Sequence, residues 1–431
     1  LSIANAGVAG TVVENFGVGS SVSISENRIT INPTADISAT QVYHLSYPSG
    51  CFTNNEGTDY VGTGYTFEAR SYSYQAWVWG ANETGQLGQN NKVNYSSPVQ
   101  VPGNWKKLST DRRTSLAITP SGELWAWGNN YMGQLGQNSS NPDLRSSPVQ
   151  VGSDTTWSEV SGGNNFIIAS KTDGTLWSWG YNHYGTLGLN DRTARSSPTQ
   201  VPGTTWTSNF YAGDYQTIAV KTDGTLWSWG DNEEGTLGLN APETSRQSSP
   251  TQIPGTTWST AFIANKAGGA IRTDGTMWTW GSNGWGELGI GAANNTLRSS
   301  PVQVPGTTWA LVGGNGRQWK YALRTDGTLW GFGDNASGVL GQNNETDHVS
   351  PIQIPGTTWV TNQINRGEMA TWGIKTDGTL WGWGSGGPAQ RLGQNAPVNS
   401  HKSSPTQIPG TTWHSLQRGY STENMGAIKK I

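Results

Sequence analysis

Short apolar runs that alternate with polar residues recur along this chain and are cut at both ends by Gly, Pro, Asp or Asn. Alternation of period two predicts half-buried strands, and breakers this frequent leave no room for long helices. The pattern is clearest over residues 205–252, which read as a TTW segment, a variable stretch, AVKTDGTLWSWG, a second variable stretch and SSPTQIPG. Residues 218–221 and 226–229 are short and alternating, and Asp223-Gly224 between them predicts a two-residue hairpin with positive φ. The same pair recurs at Asp173-Gly174, Asp274-Gly275, Asp326-Gly327 and Asp377-Gly378, with Ser121-Gly122 as a weaker variant. Pro at both ends of the last segment suits an outer edge strand, where a missing N–H does little harm.

Each unit therefore has four strands, a to d, and each third strand closes on an aromatic-Gly pair. These are Trp79-Gly80, Trp127-Gly128, Trp179-Gly180, Trp229-Gly230, Trp280-Gly281, Phe332-Gly333 and Trp383-Gly384, spaced 48 to 52 residues apart. A period in that range marks a repeat whose unit cannot bury its apolar face alone. Seven four-stranded units predict an all-β, seven-bladed β-propeller. Residues 427–430 (AIKK) match a second strand with no third strand after it, and 75–80 (QAWVWG) match a third strand with no second before it. One blade is thus expected to be split, half from residues 413–431 and half from 75–103. Residues 73–431 are assigned to the propeller and residues 1–72 to a separate β-rich piece.

Composition narrows the classes of partner. Net charge is −3 and the longest basic run is Lys429-Lys430, so the footprint of a nucleic-acid binder is missing. No stretch approaches the ~18 apolar residues of a membrane span. One cysteine, Cys51, allows no intrachain disulfide. The five His are scattered over different repeats without zinc-ligand spacing, and there is no nucleophile elbow or phosphate loop, so no catalytic site, metal site or cofactor is expected. The chain opens at Leu1 without Met and is read as a fragment of a longer protein.

Twenty of the 23 Trp occupy repeat positions and are assigned to packing between blades. Three do not: Trp285, Trp319 and Trp372. In an up-and-down blade the a–b and c–d connections leave at one end and the b–c and d–a connections at the other. The b–c turn is nearly always TDGT and the d–a link nearly always PGTTW, whereas the a–b and c–d loops differ in every unit. All the diversity gathers on one face, and there Trp285, Trp319 and Trp372 are joined by Tyr131, Tyr184, Tyr211 and Tyr215. Aromatics in loops on a rigid scaffold are the composition of a binding surface, and these seven are the candidate binding residues. The alternative is that some fold back to cover blade ends.

The motif A-(I/V/L)-(K/R)-T-D-G-T-L-W-x-W-G-x-N-x-x-G-x-L-G followed by S-P-x-Q-(V/I) resembles the RCC1 repeat over residues 73–431. The resemblance implies the same seven-bladed propeller. It leaves function open, because the family includes a nucleotide-exchange factor for a small GTPase, secreted inhibitors of β-lactamase, and bacterial and viral modules. Eukaryotic members often carry a His before the second strand; here those stretches read SLAI, FIIAS, TIAV, GGAI, YALR and TWGI. No exchange-factor residue is carried over. Residues 1–72 are similar, loosely, to Ig-like β-sandwich modules of phage and bacterial surface proteins.

The expected function is a non-enzymatic recognition or display domain of a phage tail fibre, capsid decoration or bacterial surface protein. It would lie on a virion surface or outside the cell and contact a host-surface protein or glycan, or other virion or surface proteins. Nucleic acid and membrane insertion are not expected, and the N-terminal part would carry any homo-oligomerisation. Two alternatives are a secreted or intracellular protein-binding inhibitor or regulator, and a purely structural coat or spacer element.

Overall fold

In this computed structural model the chain divides into two compact units, Leu1–Ser73 and Tyr74–Ile431. Of the first unit the structure describes six strands only. From residue 73 onward it describes all but 140–143, 265, 292–296, 316–317, 368, 389, 396, 398 and 419–423. In the first unit a four-stranded antiparallel sheet has the order Val12–Asn15, Ser2–Asn5, Val42–Ser46, Gly64–Glu68, and Val22–Ser25 pairs with Arg28–Ile31. That arrangement supports a small β unit and no more specific an assignment.

The second unit is a propeller of seven four-stranded antiparallel sheets, six of them in chain order. Blade 2 comprises Lys107–Thr110, Thr114–Ile118, Leu124–Gly128 and Arg145–Gln150. Blades 3 to 7 follow, beginning at Trp157, Trp206, Trp258, Trp309 and Trp359. Blade 1 joins the two ends of the chain: its order is Trp413–Leu416, Asn424–Lys430, Tyr74–Gly80, Tyr95–Val101. Seven consecutive rungs, from Asn424 opposite Gly80 to Lys430 opposite Tyr74, seal it. First strands of neighbouring blades touch around the axis, and the Pro-bearing fourth strands lie at the outer edge.

The Asp-Gly hairpins differ from the two-residue turn expected. In Lys171–Thr175 only Gly174 has positive φ (80°), and the Lys171 and Gly174 N–H groups bond across a three-residue loop. The reason lies in Asp173, whose Oδ1 accepts both the backbone N–H and the hydroxyl of Thr175, at 2.9 and 2.6 Å. This Asx-type capping holds Asp173 out of the left-handed region and leaves that conformation to the glycine.

Contact between blades is directional as well as apolar. Each Trp of a Trp-Gly pair donates its indole N–H to a backbone carbonyl of the preceding blade: Trp127 to Gln86, Trp179 to Gln134, Trp229 to Thr186, Trp280 to Thr236, Trp383 to Val339. Trp79 reaches Arg391 at 2.8 Å and so makes the same link where the ring closes. Phe332 has no N–H to give, and its buried ring covers Gly289 instead.

Candidate functional site

The variable face is built from loops that are themselves anchored. In six blades a buried Asn two residues after the aromatic-Gly glycine accepts the N–H of the Leu five residues on, at 2.8–3.1 Å; the pairs run from Asn82–Leu87 to Asn335–Leu340. In four of them its amide also donates to a carbonyl nine residues on, as from Asn82 to Asn91 and Asn182 to Asp191, and Asn232 donates to Pro242. An Asn so bonded fixes the start, middle and end of each c–d loop, and residues between these points are displayed at fixed positions. Blade 7 reads SGGPAQ there and puts Gly386 in the place of the Asn.

On blades 3 and 4 these loops gather an aromatic cluster. The rings of Tyr184 and Tyr215 are 4.8 Å apart, Tyr181 lies 5.9 Å from Tyr215, and the exposed His183 meets Tyr184 edge-on at 5.3 Å. The exposed Arg246 stacks 4.4 Å from the Tyr184 centroid, held there by Asp231 at 3.2 Å. Asn164 donates both to the Tyr215 hydroxyl (2.9 Å) and to Asp214 (2.7 Å). Burial, and then the charge of Asp214, push the Tyr215 phenol up to about 12, and burial raises Tyr181 as well. Both phenols stay protonated at neutral pH. The result is a partly buried aromatic surface with a guanidinium and phenolic hydroxyls at its edge.

Tyr131 and Trp285 extend this surface along the ring. They are exposed at 63% and 48% on the c–d loops of blades 2 and 5, the blades flanking the cluster. The aromatics thus form an arc across four consecutive blades. Two other candidates belong to the core and are corrected here. Trp319 is 3% exposed and opens the second strand of blade 6, opposite Gly333, as the buried Phe166 does opposite Gly180 in blade 3. Trp372 is fully buried in the second strand of blade 7, opposite Gly382. Tyr211 lies in the first strand of blade 4 and lines the axial channel; the loop begins beyond it.

Trp372 owes its position to volume exchange across a strand pair. The corresponding pairs are Ile168 with Ser178, Ile218 with Ser228 and Tyr321 with Gly331. A Cβ on Gly382 would sit 2.9 Å from Trp372 Cδ1. Gly382→Ser is therefore expected to destabilise the protein by roughly 1–3 kcal/mol through overpacking. The double change Trp372→Ile with Gly382→Ser, which copies blade 3, should recover most of that loss. Thermal melts of the single and double variants check this, and an additive double variant would contradict it.

Sequence reasoning passed over Tyr181, His183, Arg246, Asn164 and Asp214. A signal for Tyr181 existed: it follows the Trp-Gly pair where other blades have Ala81, Asn129, Asp231, Ser282, Asp334 or Ser385. Among the described residues no group of three or more His, Cys, Asp or Glu is placed to hold a metal ion, and no helix is long and apolar enough to cross a membrane.

Comparison with known proteins bears on the whole ring. The family model "Regulator of chromosome condensation (RCC1) repeat" matches residues 75–111, 121–170, 173–220, 223–268 and 274–310, and a second model of that description matches 157–186 and 209–236. The chain is similar to the ultraviolet-B receptor UVR8 of Arabidopsis thaliana, at 30% identity over 287 residues, 64% of each protein. The match thus spans just under two thirds of that relative. Among solved structures, Prp20p of Saccharomyces cerevisiae superposes with a TM-score of 0.73 at 16% identity, over 83% of this chain and 91% of that one. Human WBSCR16 superposes with a TM-score of 0.70 at 16% identity, over 83% and 99%. The motif, the ring of seven blades and the matched repeats agree, and the chain belongs to the RCC1 repeat family.

Proposed function

We infer that this chain is a protein-binding module of the regulator type, which engages its partner through the aromatic arc on blades 2 to 5. The observation that carries the reading is the arc itself. Tyr131, His183, Arg246 and Trp285 are exposed beside the Tyr181, Tyr184 and Tyr215 cluster, on loops anchored by buried Asn side chains. Aromatic and Arg side chains on a preorganised surface are the residues that dominate binding energy at protein interfaces. One relative of the fold supports a protein as the class of partner: Prp20p was solved in a study of its binding to Gsp1p and histones, and again, as yeast RCC1, with Kap60 bound. Those partners are not transferred to this chain. A host glycan or virion partner draws no support from these relatives.

The test replaces Tyr131, Tyr184 and Trp285 together by Ala. The variant should keep its melting temperature within a few degrees. It should lose, by a hundredfold or more in affinity, a single protein retained in stoichiometric amount by the unaltered chain. Retention of that protein by the triple variant, or a partner that competes with free glycan, would refute the reading.

A further inference from the structure

On the opposite, nearly constant face, six of the seven blades hold a cation between two tryptophans. Lys171 sits 4.8 and 4.0 Å from the Trp157 and Trp177 centroids, and Lys221 sits 4.7 and 4.3 Å from Trp206 and Trp227. Arg272, Arg324, Lys375 and Lys429 repeat the arrangement with their own pairs. Blade 2 keeps the aromatic pair, with Trp105 and Trp125 edge-to-face at 6.0 Å, and drops the cation. Its hairpin reads Thr119-Pro-Ser-Gly-Glu123 where blade 3 reads Lys171-Thr-Asp-Gly-Thr175, and the backbone bonds 119 to 123 as it does 171 to 175. Thr119 thus stands where the lysine would be, and a carboxylate has replaced the threonine next to the tryptophan strand.

Three further observations describe the place, whose cleft compares with one of about 530 Å³ beside the filled cage of blade 3. A cleft of about 620 Å³ lies there, lined by Trp105, Trp125, Thr119, Glu123 and the rings of Pro102 and Pro148. Glu123 makes only long bonds within its own hairpin, accepting from the hydroxyls of Thr119 at 3.2 Å and Ser121 at 3.4 Å. The Trp125 indole N–H is buried and has no acceptor, as in Trp77 of the filled blade 1, whereas that of Trp177 is capped by Thr175 at 2.9 Å. Blade 3 displays the filled form: the Lys171 ammonium lies over both tryptophans and is paired with the Asp154 carboxylate.

We propose that the Trp105–Trp125 cage of blade 2 is a binding site for a lysine side chain presented by a partner protein. The ammonium enters between the indoles, as Lys171 does in cis, and donates to Glu123. A cation over two indole faces gains most when desolvated, and a carboxylate acceptor selects an ammonium that still carries N–H. The site is independent of the aromatic arc and lies at the other end of the blades.

Fluorescence anisotropy on the full chain, with the labelled peptide Gly-Ser-Lys-Ser-Gly and its norleucine counterpart as probes, tests this. Saturable binding of the lysine peptide is expected, at least tenfold weakened by norleucine. Thr119→Lys, which supplies the blade's missing cation, should block binding tenfold or more with an unchanged or raised melting temperature, and Glu123→Gln should weaken it several-fold. Equal binding by the Thr119→Lys protein, no preference for lysine over norleucine, or no saturable binding would overturn the proposal. Tighter binding of a trimethyl-lysine peptide would overturn the assignment to a primary ammonium.

Discussion

Deleting residues 424–431 is expected to abolish cooperative folding of the propeller. The deletion removes a single strand, yet that strand lies between Trp413–Leu416 and Tyr74–Gly80 and carries the backbone ladder that joins the two ends of the chain in blade 1. Its loss removes the burial of Met425, Ala427 and Ile428, of which Met425 and Ile428 are each worth roughly 1.5–3 kcal/mol. It also unpairs a seven-rung ladder, at about 0.5–1.5 kcal/mol per hydrogen bond. The sum reaches the ~5–15 kcal/mol that stabilises an ordinary domain, and two sheet edges are left open to aggregation. Thermal unfolding followed by near-ultraviolet circular dichroism, together with size-exclusion chromatography, measures the outcome. A truncated chain that melts cooperatively within a few degrees of the intact one would show that blade 1 is not what closes the fold.

The second large effect is a dependence on pH centred on Asp111. This residue is 1% exposed, at the a–b turn of blade 2, where blades 3 and 4 have Gly163 and Gly213. Burial raises its carboxyl to about 7, against the smaller opposing pull of the Arg113 and Thr114 backbone N–H groups, which bond Oδ1 at 2.7 and 2.6 Å. In the unfolded chain the same carboxyl titrates near 4. Below that pH the acid is protonated in both states and costs nothing. Between pH 4 and 7 the unfolded chain releases the proton while the folded one retains it, so stability falls as pH rises; above about 7 the deficit is constant. Asp111→Asn keeps the Oδ1 acceptor and does not titrate. It should match the unaltered protein near pH 4 and exceed it at pH 8, by up to about 4 kcal/mol at 1.36 kcal/mol per pH unit. A stability difference that is equal at pH 4 and pH 8 would contradict this origin.

These two expectations separate what could be read from residues alone from what could not. The period of the aromatic-Gly pairs, the Asp-Gly hairpins and the unmatched strands at the two ends specify seven blades, because each is a local feature repeated until chance is excluded. Trp319 and Trp372 mark the limit of that reading. Both fall next to irregular loops and outside the repeat's Trp positions, so they resemble binding residues. Trp319 takes the strand-opening place that Phe166 fills in blade 3, Trp372 packs over Gly382 on the neighbouring strand, and both placements appear only once register is known. The Tyr181–Tyr184–Tyr215 cluster was hidden for a similar reason. Its members lie 3 and 31 residues apart in sequence and meet because adjacent blades bring an a–b turn against a c–d loop. Arg246 comes from a third segment still further along.

The split of blade 1 also sets the phase between sequence and structure. The matched repeat 121–170 begins at the hairpin of blade 2, runs through that blade's third and fourth strands, and ends in the second strand of blade 3; the matches at 173–220 and 223–268 are offset in the same way. A genetic duplication or loss of one such repeat adds or removes two half-blades that complete each other, and every sheet keeps four strands. Strand pairing therefore imposes no preferred copy number on this architecture. The choice of seven falls to the wedge angle between blades, which depends on the bulk of the side chains packed at their faces.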